Sequence, residues 1–220
     1  MSYLKFTTLT EVLDTFGLSV VYDQELFPEV TPVPPGELLV ATLDEYLPLA
    51  LAIGTEKARA ELLIMPVLAE VRRQLHAQIS LFSGVDFNVD PKRGLNGYCD
   101  YLLSRSRDPF TIQAPVFALV EAKNEKLVTG LGQCVAEMIA AQIFNERAKK
   151  PLSPIFGAVT TGELWRFVRL EGTELSVDPD NENLNPLERL LGILMAIARG
   201  VAPTPEAEAS GMSPSHKCRV

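Results

Sequence analysis

Histidine and cysteine are scarce in this chain: 220 residues hold two histidines and three cysteines. Cys99, Cys134 and Cys218 are odd in number and far apart, so they form neither a disulfide framework nor a zinc knuckle. His216 lies in a polar C-terminal stretch, which leaves His76 alone. Zinc hydrolysis on clustered histidines and Ser-His-Asp catalysis are therefore nearly excluded. No stretch matches a G-x-x-x-x-G-K-[ST] phosphate loop or a G-x-G-x-x-G turn, and Gly130-Leu131-Gly132 is too short and lacks the third glycine. Basic charge is short as well. Lys and Arg number 20 against 28 Asp and Glu, a net charge of −8, which argues against a general nucleic-acid coat but leaves room for a local basic rim. No unbroken apolar run approaches the roughly 20 residues of a membrane span. Glu11, Asp14, Asp23 and Glu25 rule out a basic-then-apolar signal peptide, and Cys218 stands one residue short of a prenylation box. The reading is a soluble, cytoplasmic protein that makes no membrane contact. What remains for chemistry is carboxylate, lysine and a metal that prefers oxygen.

A hydrophobic content of 47%, with 14 Gly and 16 Pro, suits one domain able to bury a core, alone or with an added arm. Residues 1–54 read as an N-terminal arm. It has a short helix over 9–16, a proline-rich connector over 28–36 and a second short helix over 44–52 interrupted at Pro48. Residues 201–220, rich in Ala, Pro, Ser and Glu, read as a disordered tail. Between them, 55–200 read as the folded domain. The spacing predicts a helix over 55–78 with Thr55 as N-cap, an apolar stripe of Ile64, Leu68, Val71 and Leu75, and a kink at Pro66. Extended segments come next at 79–89, 98–104 and 116–123. A helix over 130–147, apolar around most of its circumference, is expected to be well buried. Segments 155–160 and 164–170 flank Thr161-Gly162-Glu163, a hairpin signal, and a helix over 186–199 closes the pattern. That order gives an α/β (α+β) fold, a mixed central sheet flanked by helices.

The segment Phe117-Ala-Leu-Val-Glu121-Ala122-Lys123 carries the chemistry. Alternation along a strand points Glu121 and Lys123 the same way. The carboxylate is suited to a hard divalent cation, while the ammonium can orient a water or offset charge on a phosphorane. Asp100 lies on the preceding apolar strand, so neighbouring strands can bring it beside Glu121 as a two-carboxylate site for Mg²⁺. Each motif alone is also how a surface Glu-x-Lys pair and an edge-strand Asp look; the combination in apolar strands points to a site.

These residues resemble the PD-(D/E)xK nuclease superfamily: Asp100, then Glu121-Ala122-Lys123 on the next strand, then a helix beginning Gly130-Leu-Gly-Gln133. The resemblance covers about residues 55–170 and implies a restriction-endonuclease-like fold. Thr160-Thr-Gly-Glu-Leu-Trp165-Arg-Phe is similar to the segment after the core helix in uncharacterised bacterial members and in nuclease domains of type I restriction subunits. Two features depart from the pattern: Cys99-Asp100 stands in place of Pro-Asp, and Gln133 is followed by Glu137 where some relatives carry Gln-x-x-x-Tyr.

The resemblance implies Mg²⁺, with Mn²⁺ as a substitute, bound by Asp100, Glu121 and the Ala122 carbonyl, with Lys123 positioning the attacking water. It also implies that an acid on the first helix assists. Glu61, three residues before Ile64, continues the core-facing stripe and leans toward the sheet, while Glu56 suits the helix dipole. Gln133 is expected to steady the site or touch the substrate backbone, and Glu137, one turn on, to be its solvated neighbour. Lys92, Arg93, Arg105, Arg107, Lys126, Arg147, Lys149 and Lys150 are candidates for a phosphate-binding rim. Trp165 and Phe167 read as core, and Cys99 and Cys134 as small buried residues. The expected function is a metal-dependent endonuclease acting on DNA, with a homodimer as a possible assembly. The alternative is a non-catalytic module that kept the fold to bind nucleic acid or protein.

Overall fold

Threonine caps open two of the helices in the computed structural model of the chain, which describes residues 2–201. Thr8 accepts from the Glu11 amide while the Glu11 carboxylate accepts from the Thr8 amide, a reciprocal cap for α1 (Leu9–Phe16). Strand β1 (Ser19–Val21) and helix α2 (Glu37–Ile53) come next. The sequence predicts a helix over 44–52 broken at Pro48, yet α2 runs through that proline. Pro48 and Asp44 are both exposed, so the place where the ring removes the helical N–H lies on the solvent side of the helix. Thr55 accepts from the Ala58 amide and starts α3 (Glu56–Arg59). The helix predicted over 55–78 is then altered twice. Ala60–Ile64 forms a π turn leading into α4 (Met65–Gln74), immediately ahead of Pro66. The helix ends at Gln74, and His76 and Ala77 take positive φ just beyond it.

Strands β2 (Ser80–Asp86), β3 (Tyr98–Ser104) and β4 (Val116–Ala122), helix α5 (Leu131–Arg147), and strands β5 (Ile155–Thr160) and β6 (Leu164–Glu171) succeed one another in the predicted order. The sequence reading has no counterpart for β7 (Glu174–Val177) and β8 (Glu182–Asn183), which precede α6 (Leu187–Arg199). The strands make one mixed sheet in the order β1-β7-β6-β5-β4-β3-β2, with β8 also on β6. β4 and β5 are parallel, so they need a crossover, and α5 supplies it. This is a mixed α/β fold with helices on both faces.

The two faces have separate cores. One joins α1 and α5 to the sheet through residues such as Val12, Leu119, Cys134, Val135 and Val159. The other joins α2, the π turn, α4 and α6 through Leu43, Ile64, Leu68, Val120, Trp165 and Leu190. Leu127–Arg147 is long and apolar enough to cross a membrane by composition, but the sheet and α1 bury most of it, as an all-round apolar helix requires.

The segment read as an arm joins the common sheet and core over its described residues, 2–54. β1 extends the sheet by parallel pairing with β7, and Tyr3, Phe6, Leu26 and Phe27 are fully buried. Each large apolar side chain of this kind contributes roughly 1.5–3 kcal/mol of burial, so the segment is held by the same core as the rest. Where α5 begins, the Phe6 and Thr8 carbonyl oxygens lie within 2.6 Å of where a Cβ on Gly132 would stand, a closeness that only glycine permits. Of the predicted tail 201–220, all but Val201 lies outside the described residues, as do His216 and Cys218.

Candidate active site

The site forms where β3 and β4 part. Their antiparallel ladder stops at Tyr101↔Val120, one step short of pairing Asp100 with Glu121. Beyond that step the Asp100 Oδ2 accepts the Ala122 amide at 2.8 Å, so the side chain replaces the missing ladder bond. On the other side, the β2–β3 register passes from Ser83↔Tyr101 to Val85↔Cys99 over Gly84 and Asp100. Gly84 holds φ +59° there, which a side chain would resist. The irregularity leaves Asp100 and Tyr101 both lining a cavity of about 220 Å³ with Glu56, Glu61, Ser83 and Ala122.

Alternation along β4 sends Glu121 and Lys123 to the α5 face together. Lys123 Nζ donates to Glu121 Oε1 at 2.6 Å and lies 4.0 Å from Glu56 Oε2. The other Glu121 oxygen accepts from Gln133 Nε2 at 3.0 Å, and the same nitrogen donates to Glu137 Oε1 at 3.2 Å. Burial, and next the charge of Asp100, push the Glu121 carboxyl up to about 8 against the pull of Lys123. Burial presses the Lys123 ammonium down, but Glu121 outweighs it and the net shift is upward. Glu137 is completely buried, and burial followed by the charge of Glu121 holds it well above the usual carboxylate range.

The structure thus gathers Asp100, Glu121, Ala122, Lys123 and Gln133 at one end of the sheet. Glu61 is placed differently. Its side chain is 59% exposed and pairs with Lys57 at 2.9 Å, lining the cavity rim rather than leaning into the sheet. The π turn is the reason: it carries one more residue per turn than an α-helix, so Glu61 falls out of phase with Ile64 and Leu68. Glu56, read mainly as suiting the helix dipole, is the helix acid that reaches toward Lys123. Glu137 is a correction of the opposite kind. It is not a solvated neighbour but a core residue, because the helix around it (Val135, Met138, Ala140, Ala141) has no solvent face at that position. The all-round apolarity of α5 was the available signal.

The eight rim candidates do not encircle the site. Arg105 follows β3 at the end opposite Asp100 and lies over the Phe117 ring, with Arg107 in the same loop. Lys150 donates to the Ala114 carbonyl, so it and Lys149 sit beside the start of β4, about 20 Å of strand from Ala122. Arg147 donates to Val89 and pairs with Asp90, and Arg93, next to Lys92, lies against Phe16 of α1. Of the eight, Lys126 follows the site end of β4. Three carboxylates, Glu56, Glu61 and Asp100, line the cavity against one lysine, Lys57.

Among the described residues, no three His, Cys, Asp or Glu side chains converge as a metal cluster. The residues expected to hold a cation offer two carboxylates and a main-chain carbonyl, all hard oxygens, with Asp100 half-buried beside an open cavity. That chemistry fits Mg²⁺ or Mn²⁺ and does not fit zinc. Comparison of the chain with protein-family models and with curated proteins gives no match.

Proposed function

We propose that the chain is a metal-dependent endonuclease that hydrolyses DNA phosphodiester bonds at an Asp/Glu-x-Lys site on a restriction-endonuclease-like core. The observation that carries this reading is the meeting of Asp100, Glu121 and Lys123 at the parted ends of β3 and β4, where Asp100 and Ala122 line an open cavity and Glu121 is buried behind them. Asp100, Glu121 and the Ala122 carbonyl would hold the cation, which when bound supplies Lewis-acid polarisation of the phosphate and offsets its charge.

The chain's own groups do the rest. Lys123 keeps a positive charge beside the place where negative charge grows on the phosphorus oxygens, and its link to Glu121 fixes its reach. Gln133 holds the second Glu121 oxygen, so that carboxylate is tied on both sides. Glu56, 4.0 Å from the ammonium, restrains Lys123 from the cavity side. The parted strands leave one wall open for a phosphodiester to approach.

Incubating the purified protein with duplex, single-stranded and RNA substrates in Mg²⁺ or Mn²⁺, with chelator and Asp100→Ala as controls, tests the reading. Metal-dependent cleavage lost in both controls is expected; cleavage by Asp100→Ala as fast as by the parent refutes it.

One observation favours a non-catalytic binding module as the second reading: the acidic rim of Glu56, Glu61 and Asp100, with Arg105, Lys149 and Lys150 at the far end of the sheet. A calorimetric titration with Mn²⁺ separates the two, since a module with no working site takes up no cation.

A further inference from the structure

Glu137 has no part in the chemistry above, yet it is buried completely behind the site and touches it through one residue. Its Oε1 accepts from Gln133 Nε2, and its Oε2 is buried without a partner. Gln133 sits one helical turn earlier on the same face of α5. The Gln133 Nε2 also donates to Glu121 Oε2. An amide nitrogen carries two protons, and here each faces a different carboxyl oxygen.

We infer that Glu137 is a positioning residue that fixes the side-chain amide of Gln133, and through it the Glu121 carboxyl. Turning the amide over would carry both amide protons away from the two carboxyl oxygens that now accept them. With Glu121 alone as acceptor, one amide proton would be left unpaired in a half-buried place, and the side chain could leave its rotamer to pair it elsewhere. With Glu137 present, both protons are held and the amide has a single arrangement. Lys123 grips the first Glu121 oxygen; Glu137, acting through Gln133, sets the second. A buried carboxyl on a helix that is otherwise apolar at this level is costly unless it does such work.

The consequence for catalysis rests on the nuclease reading, whereas the arrangement at Gln133 does not. The test therefore has two readouts on the whole chain. The first is hydrogen exchange of the two Gln133 side-chain amide protons, followed by NMR in metal-free protein. The second is kcat and KM for DNA cleavage. Glu137→Gln keeps an acceptor oxygen at the same reach, and Glu137→Met keeps the volume and removes it. Both Gln133 protons should exchange slowly in the parent and in Glu137→Gln. In Glu137→Met at least one should exchange about tenfold faster or more, with kcat down by on the order of tenfold to a hundredfold and KM little changed.

Fast exchange of both protons in the parent overturns the inference without any variant, so it stays falsifiable even if Glu137→Met does not fold. So does a folded Glu137→Met that matches the parent in both readouts. A Glu137→Gln as impaired as Glu137→Met also overturns it, because the charge rather than the acceptor would then matter. If exchange behaves as expected while the parent cuts nothing, the role of Glu137 at Gln133 stands and the nuclease reading alone falls.

Discussion

Replacing Glu121 by glutamine should make the metal-free protein progressively more stable than the parent as pH rises. Burial, and then the Asp100 carboxylate, push the Glu121 carboxyl up to about 8 in the folded chain, from an ordinary value of 4.5. Between those two values the folded chain still holds a proton that the unfolded chain has released. Stability therefore falls with rising pH across this window and levels off above it. One proton corresponds to about 1.4 kcal/mol per pH unit, so the advantage of Glu121→Gln should grow by on the order of 3 kcal/mol from about pH 5.5 to about pH 7.5. Glutamine is isosteric and neutral, so it removes this proton linkage while keeping the contact with Gln133 available. Glu137 is also shifted upward; the variant removes the Glu121 charge from it, while burial, the larger cause, is the same in both proteins. Urea unfolding of both proteins in chelator, at several pH values across the window, measures the difference directly. A difference that stays flat with pH would refute the claim that Glu121 holds a proton in the apo site. A difference that shrinks as pH rises would reverse its sign.

The same geometry gives four further expected outcomes. Lys123→Met should lose on the order of 10²-fold or more in cleavage rate while Mn²⁺ affinity by calorimetry and melting temperature change little, since the ammonium sits beside Glu121 and is not itself an oxygen donor. Asp100→Ala should lose both metal uptake and cleavage, because two carboxylates become one and the Ala122 amide loses its acceptor. Glu61→Ala should leave cleavage within about twofold of the parent, its exposed pair with Lys57 being worth at most about 1 kcal/mol; a large loss would mean that the acid on the π turn moves into the site. Gly132→Ala should lower stability by roughly 1–3 kcal/mol in denaturant melts, because its Cβ would stand 2.6 Å from two backbone oxygens of the N-terminal segment.

Local chemistry alone determined much of this protein. Thr55 as a cap, the apolar strands around Leu102 and Leu119, the turn at Thr161-Gly162-Glu163 and the apolar girth of α5 place β3, β4, α5, β5 and β6 within a residue or two, because each signal acts over a few neighbouring residues. Period-two alternation likewise put Glu121 and Lys123 on one face, and the apolar setting of both strands made Asp100 their natural companion.

Tertiary structure decided the rest. Residues 1–54 carry their apolar side chains at irregular spacing, so only their packing on β7, on α5 and on the opposite face with α4 and α6 shows that they belong to the core. β7 and β8 are short and pair over distance, which local propensity does not register. The helix acid beside Lys123 changed from Glu61 to Glu56 because a π turn shifted the phase of the helix, and periodicity cannot count a residue that a turn absorbs. Arg105, Lys149 and Lys150 separated from the site because their positions depend on which end of each strand they follow or precede. Glu137 became part of the site for a reason no spacing states: α5 is covered on every side at that level, so the carboxyl can meet only Gln133 and the groups packed behind it.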